Sequence, residues 1–318
     1  MNNEQLNWQL TTPVAMIVFN RPQTTKKVFE AIRQVKPPIL FLIADGPRPD
    51  KPGEDKKCAA VREIIEKVDW DCQVYKNYSD VNLGCGKRPS TGIDWVFDSV
   101  EEAIIIEDDC LPDPSFFRYC QELLDYYRND ERVMTICGLN VQFGENPTDY
   151  SYYFSRYNHC WGWASWRRAW KYFDFDLKVW PEIREKNLLQ DILQDSHAVK
   201  SWTHTFDIIS ANQLDCWDFQ WIFANWVHGG LAITPRENLI KYIGYTEDAT
   251  HTTNALSQYN QLEVKAMEFP LKHPPFIIRH DKADRYTEST YFDYQPNLYK
   301  RINRKVRKIL GLKLSQSW

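Results

Sequence analysis

Three consecutive carboxylates follow a short apolar run in the segment AIIIEDDCLPDPSFF, residues 103–117. Four apolar residues lead directly into Glu107, Asp108 and Asp109. Like charges side by side repel, and each carboxylate disfavours ionisation of its neighbours. A divalent cation, usually accompanied by phosphate, would neutralise such a cluster. The alternative interpretation is a solvated acidic cluster that caps a helix.

The elements that must position these acids are strands and helices in alternation. Strands are predicted within PVAMIVF, PPILFLIA, CQVYKN, AIII and RVMTICG, and amphipathic helical patterns lie between them. The first helix is expected to use Thr24 or Thr25 as its N-cap. The alternation predicts an α/β fold, with a Rossmann-like, mostly parallel sheet covered by helices on both faces.

Polar residues come directly after three of the predicted strands. Asn20 and Arg21 follow the first strand, Asp45 follows the second, and the acidic triplet follows the fourth. In open α/β sheets, ligands bind outside the carboxyl ends of the strands. We therefore expect these side chains to converge on one rim of the sheet.

Composition limits the class of protein. The chain has 318 residues, of which 43% are hydrophobic, so a large core is expected and global disorder is not. The net charge of −4 argues against a nucleic-acid binder that works through overall charge. None of the eight cysteines forms a CxxC pair, and neither a signal peptide nor a membrane span is recognisable. A cytoplasmic protein with reduced thiols is expected.

Several other phosphate-handling classes fit the sequence poorly. A Rossmann dehydrogenase needs GxGxxG after the first strand, where this chain has NRPQTT. The segment GCGKRPSTG matches neither that motif nor the P-loop, which requires Gly-Lys-Ser/Thr. Haloacid-type phosphatases place their acidic pair after the first strand, and nucleotidylyltransferases place a glycine-rich loop there.

The segment IIIEDDCLPDPSFF resembles the metal-binding segment of GT-A-fold glycosyltransferases, and is especially similar to that of the N-acetylglucosaminyltransferase I family. VFNRP, IADG and a glycine-containing helix start precede it in the same order. The resemblance covers residues 12–140 well and 155–255 loosely. It implies a metal-dependent glycosyltransferase of polysaccharide biosynthesis. The implied donor is a UDP-sugar, with UDP-N-acetylglucosamine favoured, and the acceptor is a glycan or a lipid-linked saccharide.

The resemblance also implies roles for single residues. Asp109 would bind Mn²⁺ or Mg²⁺, since hard cations prefer carboxylate oxygen. Asp108 would accept from the ribose hydroxyls, and Glu107 would contact the donor sugar or a metal-bound water. Asp45 would accept the uracil N–H, and Arg21 would lie near the phosphates or the base, although both residues could instead be surface residues of turns. Further nucleotide-binding candidates are Asn20, Asn82, Gly84 and Arg88.

An inverting transferase needs a carboxylate that removes the proton of the acceptor hydroxyl. Asp218 in LDCWDFQWIFANW lies where the family carries this base, and Asp215 is the second candidate. The two residues would share a face if this stretch is helical. Either could simply cap the helix. Nothing in the sequence fixes inversion against retention.

Tryptophans are concentrated in HCWGWASWRRAWKYF. Trp161 and Trp163 flank Gly162, which permits close approach of the backbone to a ligand. Because indole stacks well on apolar sugar faces, these residues are candidates for the donor-sugar or acceptor pocket. The tryptophans at 163, 166 and 170 also have helical spacing, which predicts that most of them pack in the core.

The later part of the chain adds three predictions. The resemblance to GT-A enzymes implies that His251 is a candidate second metal ligand or a hydrogen-bond donor to phosphate, with ordinary packing as the alternative. Residues 1–255 are expected to form the GT-A domain, and 256–318 an extension ending in a basic amphipathic helix. That helix, 298–314, is a candidate for peripheral contact with an anionic membrane, with packing on the domain as the alternative.

Two other function classes remain open from the sequence. A metal-dependent hydrolase of phosphate or glycosidic bonds could use the same acids. A non-catalytic protein that binds a sugar nucleotide could keep the aromatic pocket without turnover. Fold resemblance alone does not establish function.

Overall fold

A computed structural model of the chain describes residues 8–244 and 262–292. The strands in this part are β1 (Val14–Val18), β2 (Ile39–Ala44), β3 (Gln73–Tyr78), β4 (Glu102–Glu107), β5 (Cys110–Pro112), β6 (Val133–Cys137), β7 (Tyr152–Ser155), β8 (Trp163–Trp166), β9 (Leu231–Pro235) and β10 (Ile240–Tyr242). The helices are α1 (Pro22–Val35), α2 (Glu54–Ile65), α3 (Gly84–Ser99), α4 (Ser115–Tyr126), α5 (Arg167–Trp170), α6 (Trp180–Glu185), α7 (Leu189–Leu193), α8 (Ser196–Ser210), α9 (Asp218–Val227) and α10 (Asp281–Thr290).

Eight strands form one central sheet in the order β3-β2-β1-β4-β8-β6-β9-β7, and β5 pairs with β10 in a separate two-stranded sheet. The pairs β3–β2, β2–β1, β1–β4 and β6–β9 are parallel. Strand β8 is antiparallel to both of its neighbours, and β7 is antiparallel to β9. The predicted α/β class is confirmed. The sheet is mixed, because two short strands from the irregular stretch after residue 150 enter it in the opposite direction.

Both faces of the sheet are covered, as predicted. Side chains alternate along a strand, so Val14 and Met16 of β1 pack with α1, α2 and α4, whereas Ala15 and Ile17 pack with α3 and α9. Each face therefore has its own apolar core. This explains why the sequence of β1 is a continuous apolar run and does not alternate.

An outer aromatic layer lies beyond α9. Trp180 of α6, Trp202 of α8 and Trp226 of α9 belong to one buried cluster, to which the short helix α7 also contributes. The prediction that the tryptophans at 163, 166 and 170 share a helical face is wrong. The first two belong to strand β8, although all three are buried as core residues. Pairing with β4 and β6, which lie far away in the sequence, overrides the local spacing.

Helix α1 begins one turn earlier than predicted. It starts at Pro22 with Arg21 as its N-cap residue, because a proline at the first helical position is preorganised for the helix. The hydroxyls of Thr24 and Thr25 donate to the Arg21 carbonyl at 3.2 and 2.7 Å, so they do not act as caps. The backbone of Arg21 is thus fixed at the end of β1.

Residues 262–292 pack on the same body as the rest of the described chain. The Met267 N–H donates to Ser115 Oγ at 2.8 Å, and Met267 and Leu271 are buried in the core beneath α4. The predicted boundary near residue 255 and the basic segment 298–314 lie outside the described residues. None of the helices in 8–244 and 262–292 combines the length and the apolar character that crossing a membrane requires.

Candidate functional site

The carboxyl ends of β1 and β4, which are neighbours in the sheet, bring Arg21 against the acidic triplet. Arg21 Nη2 lies 3.1 Å from Asp108 Oδ1, and Arg21 Nη1 lies 2.6 Å from Asp109 Oδ2. The Phe19 N–H also donates to Asp108 Oδ2 at 3.2 Å. The three side chains expose only 17%, 3% and 7% of their surfaces. One guanidinium therefore bridges two nearly buried carboxylates.

The charges of this cluster affect one another. Burial raises the pKa of Asp108 to about 6, although the Arg21 guanidinium opposes this shift. Burial works to lower the pKa of Arg21, but the neighbouring charges of Asp108 and Asp109 hold it above its usual value. Arg21 therefore stays charged, and among the described residues it is the cation that pairs with Asp108 and Asp109.

Glu107, the first carboxylate of the triplet, is the last residue of strand β4. Burial raises the pKa of Glu107 well above its usual range, and the charges of Asp109 and Asp108 add to the shift. Asp218 contributes further, so its carboxylate lies within electrostatic reach of β4. Asp218 is the first residue of α9, where the helix N-terminus favours a negative charge. The charge of Asp218, the predicted base, thus acts on the acidic triplet through Glu107.

Asp45 holds a loop together. Its carboxylate accepts from the N–H groups of Gly46, Leu83 and Gly84 and from Asn82 Nδ2, at 2.9–3.2 Å. Burial raises its pKa, although these donors oppose the shift. Recognition of a uracil N–H by Asp45 remains a prediction, and a base would have to compete with these four donors.

Asn20 and Arg88, two predicted nucleotide ligands, contact protein groups. Asn20 Nδ2 donates to Glu54 Oε1 at 2.8 Å, and Glu54 also accepts from the backbone and side chain of Arg48. Arg88 is 5% exposed and donates to the carbonyl and side-chain oxygens of Asn77 at the end of β3. Both side chains therefore fix neighbouring loops, and their binding to nucleotide stays a prediction.

Asp215 lies outside helix α9 and caps another helix. Its carboxylate accepts from the N–H groups of Cys85 and Gly86 at 3.0 Å each, at the N-terminus of α3. Gly84 has φ +87°, and a Cβ on Gly86 would lie 2.7 Å from the Cys216 carbonyl oxygen, so glycine is favoured at both positions. The expectation that Asp215 and Asp218 share a helical face is wrong, because α9 begins only at Asp218.

The aromatic candidates divide into a rim residue and a core residue. Trp161 is partly exposed and stacks on Tyr242, with ring centroids 4.4 Å apart. Gly162 has φ +64°, and a Cβ there would lie 2.5 Å from Ile240 Cδ1. Trp163 is fully buried among Trp170, Trp217 and Trp221. Its predicted place in a sugar pocket is therefore corrected to a place in the core.

Several residues of the site were not identified from the sequence. Tyr242 contributes to the electrostatic environment of Arg21, and a Cβ on Gly244 would lie 2.6 Å from Asp109 Oδ2. The Ile243 N–H donates to the Asp109 carbonyl at 2.8 Å, so the strand after residue 239 runs beside the acidic loop. The short, mostly apolar run NLIKYIGY is the signal that could have indicated this strand. His251 lies outside the described residues.

The described side chains of this rim do not by themselves form a metal site. In the described part of the chain, no group of three or more His, Cys, Asp and Glu side chains is arranged to hold one ion. Mg²⁺ is commonly bound through one or two carboxylates plus substrate phosphates and water. Asp109 and Asp108 are hard oxygen ligands and fit that partial role.

Comparison of the sequence with protein families and with curated proteins finds no match. Solved structures with a similar fold include a mannosyltransferase from Pyrobaculum calidifontis in complex with GDP-Man and Mn²⁺ (TM-score 0.34, 12% identity, 50% of this chain and 45% of that one). They also include mouse xyloside xylosyltransferase 1 (TM-score 0.34, 11% identity, 70% and 84%) and a UDP-glucose pyrophosphorylase complexed with UDP-glucose (TM-score 0.25, 12% identity, 45% and 62%). This chain thus spans less than half the length of the mannosyltransferase.

These likenesses concern the fold. The chain is an α/β protein with a large mixed central sheet flanked by helices, and its neighbours in fold include glycosyltransferases and a nucleotide-sugar pyrophosphorylase. None of them supports the N-acetylglucosaminyltransferase I family in particular.

Proposed function

We propose that the protein is a metal-dependent glycosyltransferase that moves a sugar from a UDP-sugar to a glycan or lipid-linked acceptor with inversion. The observation that supports this most is the acidic rim. Arg21 pairs with Asp108 and Asp109, and Asp218 lies within electrostatic reach of Glu107. This arrangement suits a diphosphate held with Mn²⁺ or Mg²⁺ and an acceptor hydroxyl on the side of α9.

Each part of the rim has a chemical role in this proposal. Asp109, with Asp108 beside it, would hold the cation, which supplies Lewis-acid stabilisation of the departing diphosphate. The Asp218 carboxylate accepts the acceptor's hydroxyl proton as that oxygen attacks the anomeric carbon. The bond from the anomeric carbon to the diphosphate oxygen breaks, and the diphosphate leaves with the electron pair. The partly exposed Trp161 ring is the group suited to stack on a sugar face.

A thermal-shift panel of UDP, GDP, CDP and ADP, each with and without Mn²⁺, tests the nucleotide site. Ligand at about 100 times its dissociation constant stabilises a protein by about 2.7 kcal/mol. We expect stabilisation by UDP together with Mn²⁺, and little by either alone. Indifference to every nucleoside diphosphate would remove the proposal.

Release of UDP from UDP-N-acetylglucosamine and UDP-glucose, with and without saccharide acceptors, tests the reaction. Asp218→Asn should bind UDP and Mn²⁺ normally while turnover falls by about 10²–10⁴-fold. Asp71→Asn is the matched control, because Asp71 is an exposed aspartate just before β3. Turnover that no acceptor accelerates would favour a hydrolase, and equal turnover in the Asp218 and Asp71 variants would exclude Asp218 as the base.

A further inference from the structure

The acidic rim already contains a positive charge that belongs to the chain. Arg21 reaches both Asp108 and Asp109, at 3.1 and 2.6 Å, and among the described residues it is the cation paired with these carboxylates. Its Nη1 is bonded to Oδ2 of Asp109, the carboxylate assigned above to the cation. A divalent ion that binds this oxygen therefore has to compete with the guanidinium.

The backbone at Arg21 is fixed while its side chain keeps access to solvent. The Arg21 carbonyl accepts from the Thr25 N–H at 3.0 Å and from the hydroxyls of Thr24 and Thr25. The side chain is 17% exposed, against 3% and 7% for its two partners. A change of partner thus requires rotation of the side chain and no rearrangement of β1 or α1.

We infer that Arg21 is an internal counter-ion that stands in for the divalent cation and transfers to the diphosphate when cation and nucleotide bind together. This inference rests on the proposed function. A diphosphate is a better partner than a carboxylate that has acquired a metal, because the planar guanidinium binds phosphate oxygens in a bidentate manner. Its departure from Asp109 frees the oxygen that the cation needs.

The consequence is that cation and nucleotide strengthen each other's binding. Without diphosphate, Arg21 holds the carboxylates and opposes the cation by charge repulsion. With diphosphate, the same arginine contributes to binding and ceases to compete. Coupling of this kind is reciprocal and typically amounts to about 5- to 150-fold in affinity.

Titration of Mn²⁺ followed by electron paramagnetic resonance of the free ion, with and without UDP, measures this coupling without any turnover. In the unaltered protein, saturating UDP should tighten Mn²⁺ binding by about 5- to 150-fold. In Arg21→Met, Mn²⁺ alone should bind tighter than in the unaltered protein by a factor in the same range, and UDP should add little. Arg21→Lys keeps the positive charge but cannot bind in a bidentate manner, so its affinity for Mn²⁺ alone should lie between those of the unaltered protein and Arg21→Met.

Arg33→Met is the matched control, because Arg33 lies on the same helix in an exposed pair with Asp69. It should bind Mn²⁺ like the unaltered protein. If Arg21→Met binds Mn²⁺ alone no tighter than this control, the counter-ion role is excluded. If Arg21→Met does not fold, Arg21→Lys decides by the same criterion. Absence of any UDP effect in the unaltered protein contradicts the proposed function, and the titration of Mn²⁺ alone still decides the role of Arg21.

Discussion

Removal of the Asp215 carboxylate tests the finding that this residue caps helix α3. In Asp215→Ala the N–H groups of Cys85 and Gly86 lose their acceptor, at 3.0 Å each. Loss of a side-chain cap costs about 0.5–2 kcal/mol. Because two N–H groups lose a charged acceptor and Asp215 is exposed enough for water to replace it in part, we expect about 1–2 kcal/mol. This corresponds to a fall in melting temperature of roughly 2–6 °C.

Thermal and urea unfolding of Asp215→Ala, Asp215→Asn and the control Asp71→Ala measure the loss. Asparagine keeps one acceptor oxygen and should lose about half as much stability as alanine, whereas the control should stay within about 0.5 kcal/mol of the unaltered protein. A melting temperature of Asp215→Ala that matches Asp71→Ala would refute the capping role.

The thiol of Cys85 provides a local measurement of the same contact. Burial, followed by the charge of Asp215, raises its pKa to about 12. Without Asp215 the pKa should fall, and alkylation of Cys85 by iodoacetamide at pH 8 should accelerate, since the thiolate is the nucleophile. Peptide mapping separates this thiol from Cys72 and Cys160, which are also partly exposed. An unchanged rate at Cys85 would contradict the arrangement of the cap.

Three further predictions concern the body that supports the site. Trp163→Ala should lower the free energy of unfolding by about 3–5 kcal/mol in urea, because it leaves a cavity between β8 and α9. Asp284→Asn should cost about 1–3 kcal/mol by the same measurement, because Arg156 and Ser155 lose a charged acceptor while Asp281 stays 3.6 Å from Arg156. Burial lowers the pKa of His159 to about 4 from 6.5, so the unfolded chain binds more protons than the folded one between these values. Stability should therefore fall by about 3 kcal/mol as the pH drops through that window, and His159→Gln should flatten this dependence.

Local pattern was sufficient for the first half of the fold. The apolar run of β1 and the helical spacing of α1 identify these elements because burial on both sides of a sheet, or on one face of a helix, leaves a regular mark on the sequence. The sequence of strand β8 shows no such regular pattern. Its four residues, Trp163–Trp166, form a strand because they pair with β4 and β6. The local sequence of the segment does not reveal this long-range pairing.

For the candidate site, too, the sequence predicted one part and missed another. The meeting of Arg21 with the acidic triplet follows from the rule that the carboxyl ends of parallel strands share an edge. The capping contacts of Asp45 and Asp215 could not be read in the same way. They join residues 38 and 130 positions apart, and a short acidic side chain in a turn looks the same whether it binds a ligand or a helix N-terminus.

The reversed direction of β8 has a consequence for how such a protein could diversify. Its first residue, Trp163, pairs with Ile105 and Cys137, so the chain arrives at the level of the acidic loop through the connection 156–162. The first part of that connection is anchored in the core, since Arg156, Tyr157 and His159 are buried, whereas Cys160 and Trp161 are partly exposed. Substitutions at these two positions would therefore change the surface beside the acidic loop while the strand registers on both sides of it stayed the same.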